Sequence, residues 1–419
     1  MSSQWEKAPL EELTEDDSPI TYGVVKPGTV GDVLFVRGGD LSNGRILHSQ
    51  LRTITKEISD QYKRTLLRGN ELLVSLVGQP GQVAVVPSAL AGANIARQVG
   101  LVRLRSGIDA NFISYFLQSP DGRKALGTYT GGSVQQVINL CDLRTVDVPI
   151  PPLSEQQQIV ALVDNAFEGI DRAIANTKKN LTNARELFES YLNAIFTQKD
   201  DGWVEKRLTQ IGGKVLTGPF GSLLHKSDYI SHGIPLVNPA NIEGNQIVPD
   251  FNKTVDQDVL SRLQAYTLRE NDIIVGRRGE IGRCAVVQKE QSGWLCGTGC
   301  FFIQPSEYIN SVFLAHLLRS TTYRSKLEAL STGATMKNLS NQSLSNLVIA
   351  LPKLDKQNQI INKLDNLSIE TQRLEAIYQQ KLAALNELKQ TILQKAFTGE
   401  LTADTANQAT KIAEGAIAA

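Results

Sequence analysis

The feature that most limits what this chain can fold into is an internal duplication. A shift that carries Leu67 onto Leu268, 201 residues further on, brings widely separated segments into register. "LRGNELLVSLVGQPGQVAVV" (Leu67–Val86) falls on "LRENDIIVGRRGEIGRCAVV" (Leu268–Val287), with Gly78 on Gly279 and Gly81 on Gly282. "FVRGGDLSNGRI" (Phe35–Ile46) falls on "LVNPANIEGNQI" (Leu236–Ile247), and "PIPPLSEQQQIV" (Pro149–Val160) on "ALPKLDKQNQII" (Ala350–Ile361). Leu192, Phe196 and Thr197 meet Leu393, Phe397 and Thr398 at the same shift, while Trp5 and Leu10 echo Trp203 and Leu208. One stretch, "TGGSVQQVIN" against "TGATMKNLSN", aligns at a shift of 202. A period this long excludes a solenoid, so each copy is a whole domain with something attached.

The first part of each copy is rich in glycine and turn residues around short β-like runs ("ELLVSLV", "QVAVV", "DIIVG", "RCAVV"), with shorter helical patterns at Phe112–Leu117 and Val312–Arg319. This predicts a mixed α+β domain. The second part is of another kind. After Pro151-Pro152, Ser154 is the expected helix N-cap with Gln157 in the capping-box position, and Asp355 stands in the corresponding place after Pro352. No glycine or proline interrupts Asp355–Thr398, and Gly399 follows as a C-terminal cap.

The apolar residues of both segments follow heptads. Val163, Ile170, Ala184 and Tyr191 form one row of the first, and Phe167, Ile174, Leu181, Phe188 and Ile195 the other. Leu364, Tyr378, Leu385 and Ile392, with Leu367, Leu374 and Leu388, do the same in the second. Roughly 43 helical residues at ~1.5 Å each make a helix of about 65 Å. A seam that long needs a partner helix, and heptad persistence, duplication and the lack of breakers favour an antiparallel spacer over ordinary amphipathic packing elements. The expected architecture is two tandem mixed α/β domains (residues 1–153 and 200–354), two long antiparallel coiled-coil helices (154–199 and 355–400) in pseudo-two-fold arrangement, and a flexible tail (401–419).

Composition narrows the function. At 419 residues the chain holds more than one core, and it has no apolar stretch long enough for a membrane span and no signal-peptide pattern, which predicts a soluble cytoplasmic protein. Four cysteines (Cys141, Cys284, Cys296, Cys300) fit a reducing compartment, and the Cys296–Cys300 spacing suits buried small hydrophobes better than metal. Lys plus Arg and Asp plus Glu are both 43, so no global basic field marks a nucleic-acid binder, though a local stripe is compatible with this.

Catalytic motifs are lacking. Gly39–Ile46 has the glycine spacing of a phosphate loop but carries Arg45-Ile46 where Lys-Ser/Thr belongs, and Asn238-Pro239-Ala240-Asn241 lacks the second proline and the aromatic ring that would grip a flipped base. His48, His225, His232 and His316 sit in no metal-ligand spacing. Neither a catalytic nor a metal site is expected, and no cofactor on this chain.

Binding remains. The turns of the first copy concentrate Arg37, Arg45, Gln79, Gln82, Ser133, Gln135 and Gln136. Those of the second concentrate Ser222, Lys226, Asn238, Asn241, Arg277, Arg278, Arg283, Thr335, Lys337 and Asn338. Arg grips guanine and Asn or Gln grips adenine through two hydrogen bonds, while Lys and Ser/Thr favour phosphates. The scaffold repeats where these positions differ: Arg37 faces Asn238, Leu76 and Val77 face Arg277 and Arg278, and Gln135 faces Lys337. Two like frames with unlike contacts would read two different sequences.

With "VRGGDLSNG", "NDIIVGRRGEIGRCAVV", "STGATMKNLS", the domain-ending "PIPPLSEQQQIV" and "ALPKLDKQNQII", and the helix end "AFTGEL", the chain resembles the specificity subunit of type I restriction–modification enzymes over nearly its whole length. The resemblance implies target recognition domains joined by spacer helices and a non-catalytic subunit that reads a bipartite asymmetric DNA site. It implies as partners two modification subunits, which carry S-adenosylmethionine and methylate adenine, and two restriction subunits, which translocate and cleave with ATP and Mg. Gln156, Gln157, Gln357 and Asn358, near the helix starts, are the expected docking positions for partners. The alternative left open by the residues alone is a coiled-coil adaptor with two duplicated protein-binding domains. A fused methylation or restriction enzyme is disfavoured by the lack of a catalytic loop.

Overall fold

The computed structural model of the chain describes residues 5–127, 137–198, 202–211, 213–220, 223–333, 337–401 and 403–418. It divides into two compact units, residues 1–179 with 378–419 and residues 180–377. Each unit holds one α+β domain, the start of the long helix that follows that domain, and the end of the other long helix.

In the first unit the domain is built on a four-stranded antiparallel sheet in the order Thr21–Tyr22, Val99–Val102, Leu72–Ser75, Val83–Val85. Successive side chains alternate between two cores, as strand geometry demands. Leu72, Val74 and Leu76 enter the core shared with the helix Ala110–Gln118, whereas Leu73, Val99 and Leu101 enter a second core with Val36, Leu41 and Ile95. A three-stranded sheet, Arg52–Ile54, Val33–Val36, Asn94–Ile95, has one parallel pairing, Phe35 opposite Asn94.

The second unit repeats this strand for strand. Lys214–Thr217, Cys300–Gln304, Ile273–Gly276 and Cys284–Val286 form the same order, and Leu236 lies opposite Leu295 in the parallel pair. Ile273 and Val275 face the core with the helix Ser311–Arg319, while Ile274 and Phe302 face the other. Cys284, Cys296 and Cys300 are buried within these cores. The two domain helices are capped alike. The Asp109 carboxylate accepts from the N–H groups of Asn111 (2.8 Å) and Phe112 (3.1 Å), and Asn310 Oδ1 accepts from Val312 N–H at 2.9 Å.

Each domain closes by pairing its first strand with its last: Lys7–Pro9 with Asp147–Pro149, and Val204–Arg207 with Val348–Leu351. A proline-bearing junction follows at once, and then a long helix. The first runs Leu153–Thr197 and the second Leu354–Phe397. They begin one residue before the expected caps. Glu155 and Gln156 donate their N–H groups to the Pro152 carbonyl, and Lys356 and Gln357 donate to that of Lys353, so neither Ser154 nor Asp355 is the N-cap. Pro152 and Lys353, whose carbonyls accept these first bonds, stand in the capping positions instead.

The helices pack antiparallel in each unit. In the first, Val163, Ala166, Ile170 and Ala173 meet Leu385, Ile392, Leu393 and Ala396, and in the second, Leu192 and Phe196 share a core with Ile360, Ile361 and Leu364. Residues 403–418, expected to be part of a flexible tail, form a helix instead (Ala403–Ala418). Ala409 and Ala413 are buried in the core of the first unit, close to Gly169.

The structure also corrects the register of one segment. Ile138 N–H bonds the Leu76 carbonyl and Leu339 N–H bonds the Arg277 carbonyl, both at 2.9 Å, so at these residues the structural shift is 201 and not 202.

Candidate nucleic-acid interface

In both units the central strand of the four-stranded sheet runs into a tight glycine turn and returns as its neighbour. Positive φ at Gly78 (91°) and Gly81 (82°), and at Gly279 (75°) and Gly282 (84°), bends the two turns alike. A Cβ added at Gly78 or Gly279 would meet nothing, so conformation, not crowding, calls for glycine there, and the tips stand open.

On this common backbone the second unit carries charge. Arg277 lies half-buried with its guanidinium 5.3 Å from the centre of the Phe301 ring, and its Nε donates to Asn338 Oδ1 at 3.2 Å. Burial, then the neighbouring Arg278, lowers its pKa. Arg278 is exposed and pairs through its backbone with Asn338. Lys337 is exposed and 3.3 Å from Glu328. Arg283 binds Glu280, which Arg324 also contacts at 2.8 Å. In the first unit the corresponding turn offers Leu76, buried, and Val77, half-buried, with Gln79 exposed and Gln82 partly so. Arg277, Arg278, Lys337 and Asn338 are thus brought together, and the first unit has no such cluster among its described residues.

The remaining expected contact residues are placed differently. Arg37 grips Asp40, 2.7 Å away and itself 1% exposed, which raises the arginine's pKa. Arg45, at the tip of the hairpin Leu41–Ser42/Arg45–Ile46, reaches Asp171 of the first long helix at 3.4 Å, a carboxylate that also binds Lys389. Asn241 Oδ1 accepts from Asn238 N–H and its Nδ2 donates to the Val248 carbonyl, both at 3.0 Å, which holds the turn Pro239–Asn241. Asn238 Oδ1 lies 3.5 Å from Gly299 N–H. Lys226 is exposed on the turn Lys226–Asp228. Ser133, Gln135, Gln136, Ser222 and Thr335 lie outside the described residues.

The duplicated helix starts hold residues whose role the sequence did not show. Gln156 and Gln357, expected on an exposed docking face, are 1% and 0% exposed. Gln156 Oε1 accepts from Asp109 N–H at 2.9 Å, and Nε2 donates to the carbonyls of Pro151 (2.8 Å) and Gly107 (3.3 Å). Gln357 repeats the set with Asn310 N–H (2.9 Å), Pro352 (2.9 Å) and Tyr308 (3.0 Å). Gln157 and Asn358 are exposed, and Asn358 accepts from Asn310 Nδ2 at 3.1 Å. The available signal was one residue type recurring at the same shift, three residues into each helix.

The model of the type I restriction modification DNA specificity domain matches residues 3–183 and 200–385, both copies and most of the chain. The chain belongs to this family. As a type I specificity-domain protein it is 31% identical over 195 residues to the EcoBI specificity subunit of Escherichia coli, a match covering 46% of this chain and 41% of that one. It is 24% identical to the StySPI specificity subunit of Salmonella potsdam over 322 residues, 73% of this chain and 68% of the relative. Two solved structures share the fold. A chain from a type I R-M system, solved in work on complex assembly and conformational transition, superposes with a TM-score of 0.73 at 20% identity, covering 95% of this chain and 99% of that one. The HsdS subunit from Thermoanaerobacter tengcongensis does so at 0.57 and 19%, covering 95% and 98%. Among the described residues, no helix of this type I specificity-domain protein is long and apolar enough to cross a membrane.

Proposed function

We propose that this chain is the specificity subunit of a type I restriction–modification complex, without catalysis of its own, and that its two domains read the two halves of a split, asymmetric DNA site. The two long helices set the number of unread bases between the halves. Two modification subunits supply S-adenosylmethionine and adenine methylation, and two restriction subunits supply ATP- and Mg-dependent translocation and cleavage, in the cytoplasm. The observation that carries this reading is one frame built twice in the same register with Arg277 and Arg278 in one copy where the other has Leu76 and Val77. A formal net charge of zero fits a chain that leaves much of the phosphate contact to its partners.

The test is to co-express the chain with the modification subunit of its own system and sequence the methylated plasmid. One split sequence is expected. Arg278→Ala should relax preference at a position in one half only, by about 1–3 kcal/mol, roughly five- to 150-fold. Methylation at no defined site would overturn the reading, and relaxation of both halves would overturn the assignment of one domain to each.

A further inference from the structure

We propose that Gln156 and Gln357 are positioning residues that fix the angle between each recognition domain and its long helix, and so enforce the number of unread bases between the two half-sequences. The proposal rests on the DNA-reading function given above.

Each glutamine stands where the chain leaves its domain, with its side-chain oxygen and its amide nitrogen both engaged. The oxygen takes the N–H of the capping residue of the domain helix, Asp109 or Asn310. One amide hydrogen returns to the proline junction at Pro151 or Pro352, and the other reaches the loop before the cap at Gly107 or Tyr308. A single amide thus ties three segments together: the long helix, the junction before it and the domain's helix cap. Further polar contacts at this joint, Trp5 Nε1 to Glu155 and the Tyr115 hydroxyl to Asp164 in one unit and Asn310 Nδ2 to Asn358 in the other, are exposed or only part-buried. The buried contact beside each glutamine is apolar, from Ile159, Val160 and Val163 in one unit and Ile360, Ile361 and Leu364 in the other. Apolar burial is non-directional and tolerates small rotations, whereas buried hydrogen bonds weaken steeply as their angles depart from linear. The joint therefore takes its angle from the glutamine and its adhesion from the apolar residues.

The consequence at the DNA is large for a small change. A domain of about 150 residues is roughly 30 Å across, so a tilt of ~10° at the joint moves its far edge by about 5 Å. That exceeds the ~3.4 Å rise of one base pair. Loosening the joint should leave each half-sequence readable, because the reading turns stay within intact domains, while blurring the count of bases between them. The exposed Asn358 braces Asn310, the residue that Gln357 holds, so it offers a milder way to loosen the second joint.

The experiment uses the full chain in complex with its modification subunits. The substrate is a DNA library carrying both half-sequences at the native gap and at gaps one base shorter and longer. The readout is the ratio of methylation at the altered gaps to that at the native gap, together with thermal unfolding. Gln156→Met and Gln357→Met keep the volume and remove the hydrogen bonds. Each should raise the ratio about tenfold, equivalent to ~1.4 kcal/mol of lost discrimination, with both half-sequences unchanged. Asn358→Ala should raise it in the same direction by a smaller factor. Variants that unfold at lower temperature but keep the parent's gap preference would overturn the proposal. If the methionine variants fail to assemble, Asn358→Ala decides: an unchanged ratio overturns the proposal and a raised one sustains it. A parent complex that methylates no split site fails the functional reading itself, whereas a sharp parent with equally sharp variants fails only this one.

Discussion

His316, on the helix Ser311–Arg319, is 6% exposed, with its ring 6.3 Å from that of Phe188 and its Nδ1 3.3 Å from the Arg319 guanidinium. Burial, and after it Arg319, pushes its pKa down from 6.5 to about 3. The neutral ring can accept from Arg319, but a protonated one would place two cations together. Glu189, Glu280 and Asp365 line the same cavity but lie exposed, and Glu280 is already paired with Arg283 and Arg324 there. The folded value lies below the unfolded one, so the unfolded chain takes up the proton first. Stability is therefore lost as pH falls from about 6.5 towards 3, by about 2 kcal/mol at about pH 5. His316→Gln should lose less stability than the parent between neutral pH and about pH 5 in urea melts, and parallel losses would show that His316 is hydrated in the folded state. Comparing the copies in the sequence singles out Arg277 and Arg278, which the structure places together on the glycine turn of the second unit. Sequence is ambiguous where a short polar side chain can serve either a ligand or its own backbone. Asn238 and Asn241 look alike in both roles until the turn around Pro239 is seen, because residue type does not name the partner. Gln156 and Gln357 recur at the same shift, but their burial follows from how the proline junctions fold back on the domains.

At the scale of elements, both long helices were legible because heptads leave a strong periodic signal, and the sheets because short continuous apolar runs between turn residues mark strands buried on both faces. The C-terminal helix was not, since its buried residues, Ala409 and Ala413, are small and carry little hydrophobic contrast. Its partner, Gly169, sits in the middle of the first long helix. An added Cβ there would lie 3.5 Å from Thr410 Cγ2 and 3.7 Å from Ala413 Cβ, ordinary contact distances. Gly169→Ala should therefore raise stability by about 0.5–1 kcal/mol through helix propensity alone. Gly169→Leu must displace the C-terminal helix, lowering the unfolding temperature and opening residues 403–418 to limited proteolysis. If leucine leaves the cleavage rate unchanged, the helix does not dock on this face.

At the scale of the whole molecule, the chain passes between its two units only within the long helices, at Lys179–Asn180 and Ile377–Tyr378. Any spacing the protein imposes on the two half-sequences must then depend on the residue count of those helices. Seven residues inserted after Lys179 and seven after Ile377 preserve the heptad seam in both helices and lengthen each by about 10 Å. That is about three base-pair rises along a duplex. With both half-sequences unchanged, the methylated site should lengthen by about three unread bases, measured by sequencing of modified DNA from the assembled complex. Four residues inserted at the same two points instead turn the apolar faces by about 40° and interrupt the seam, so methylation should fall without a new gap appearing. An unchanged gap in the seven-residue variant, with normal activity, would place the ruler in the partner subunits and not in these helices.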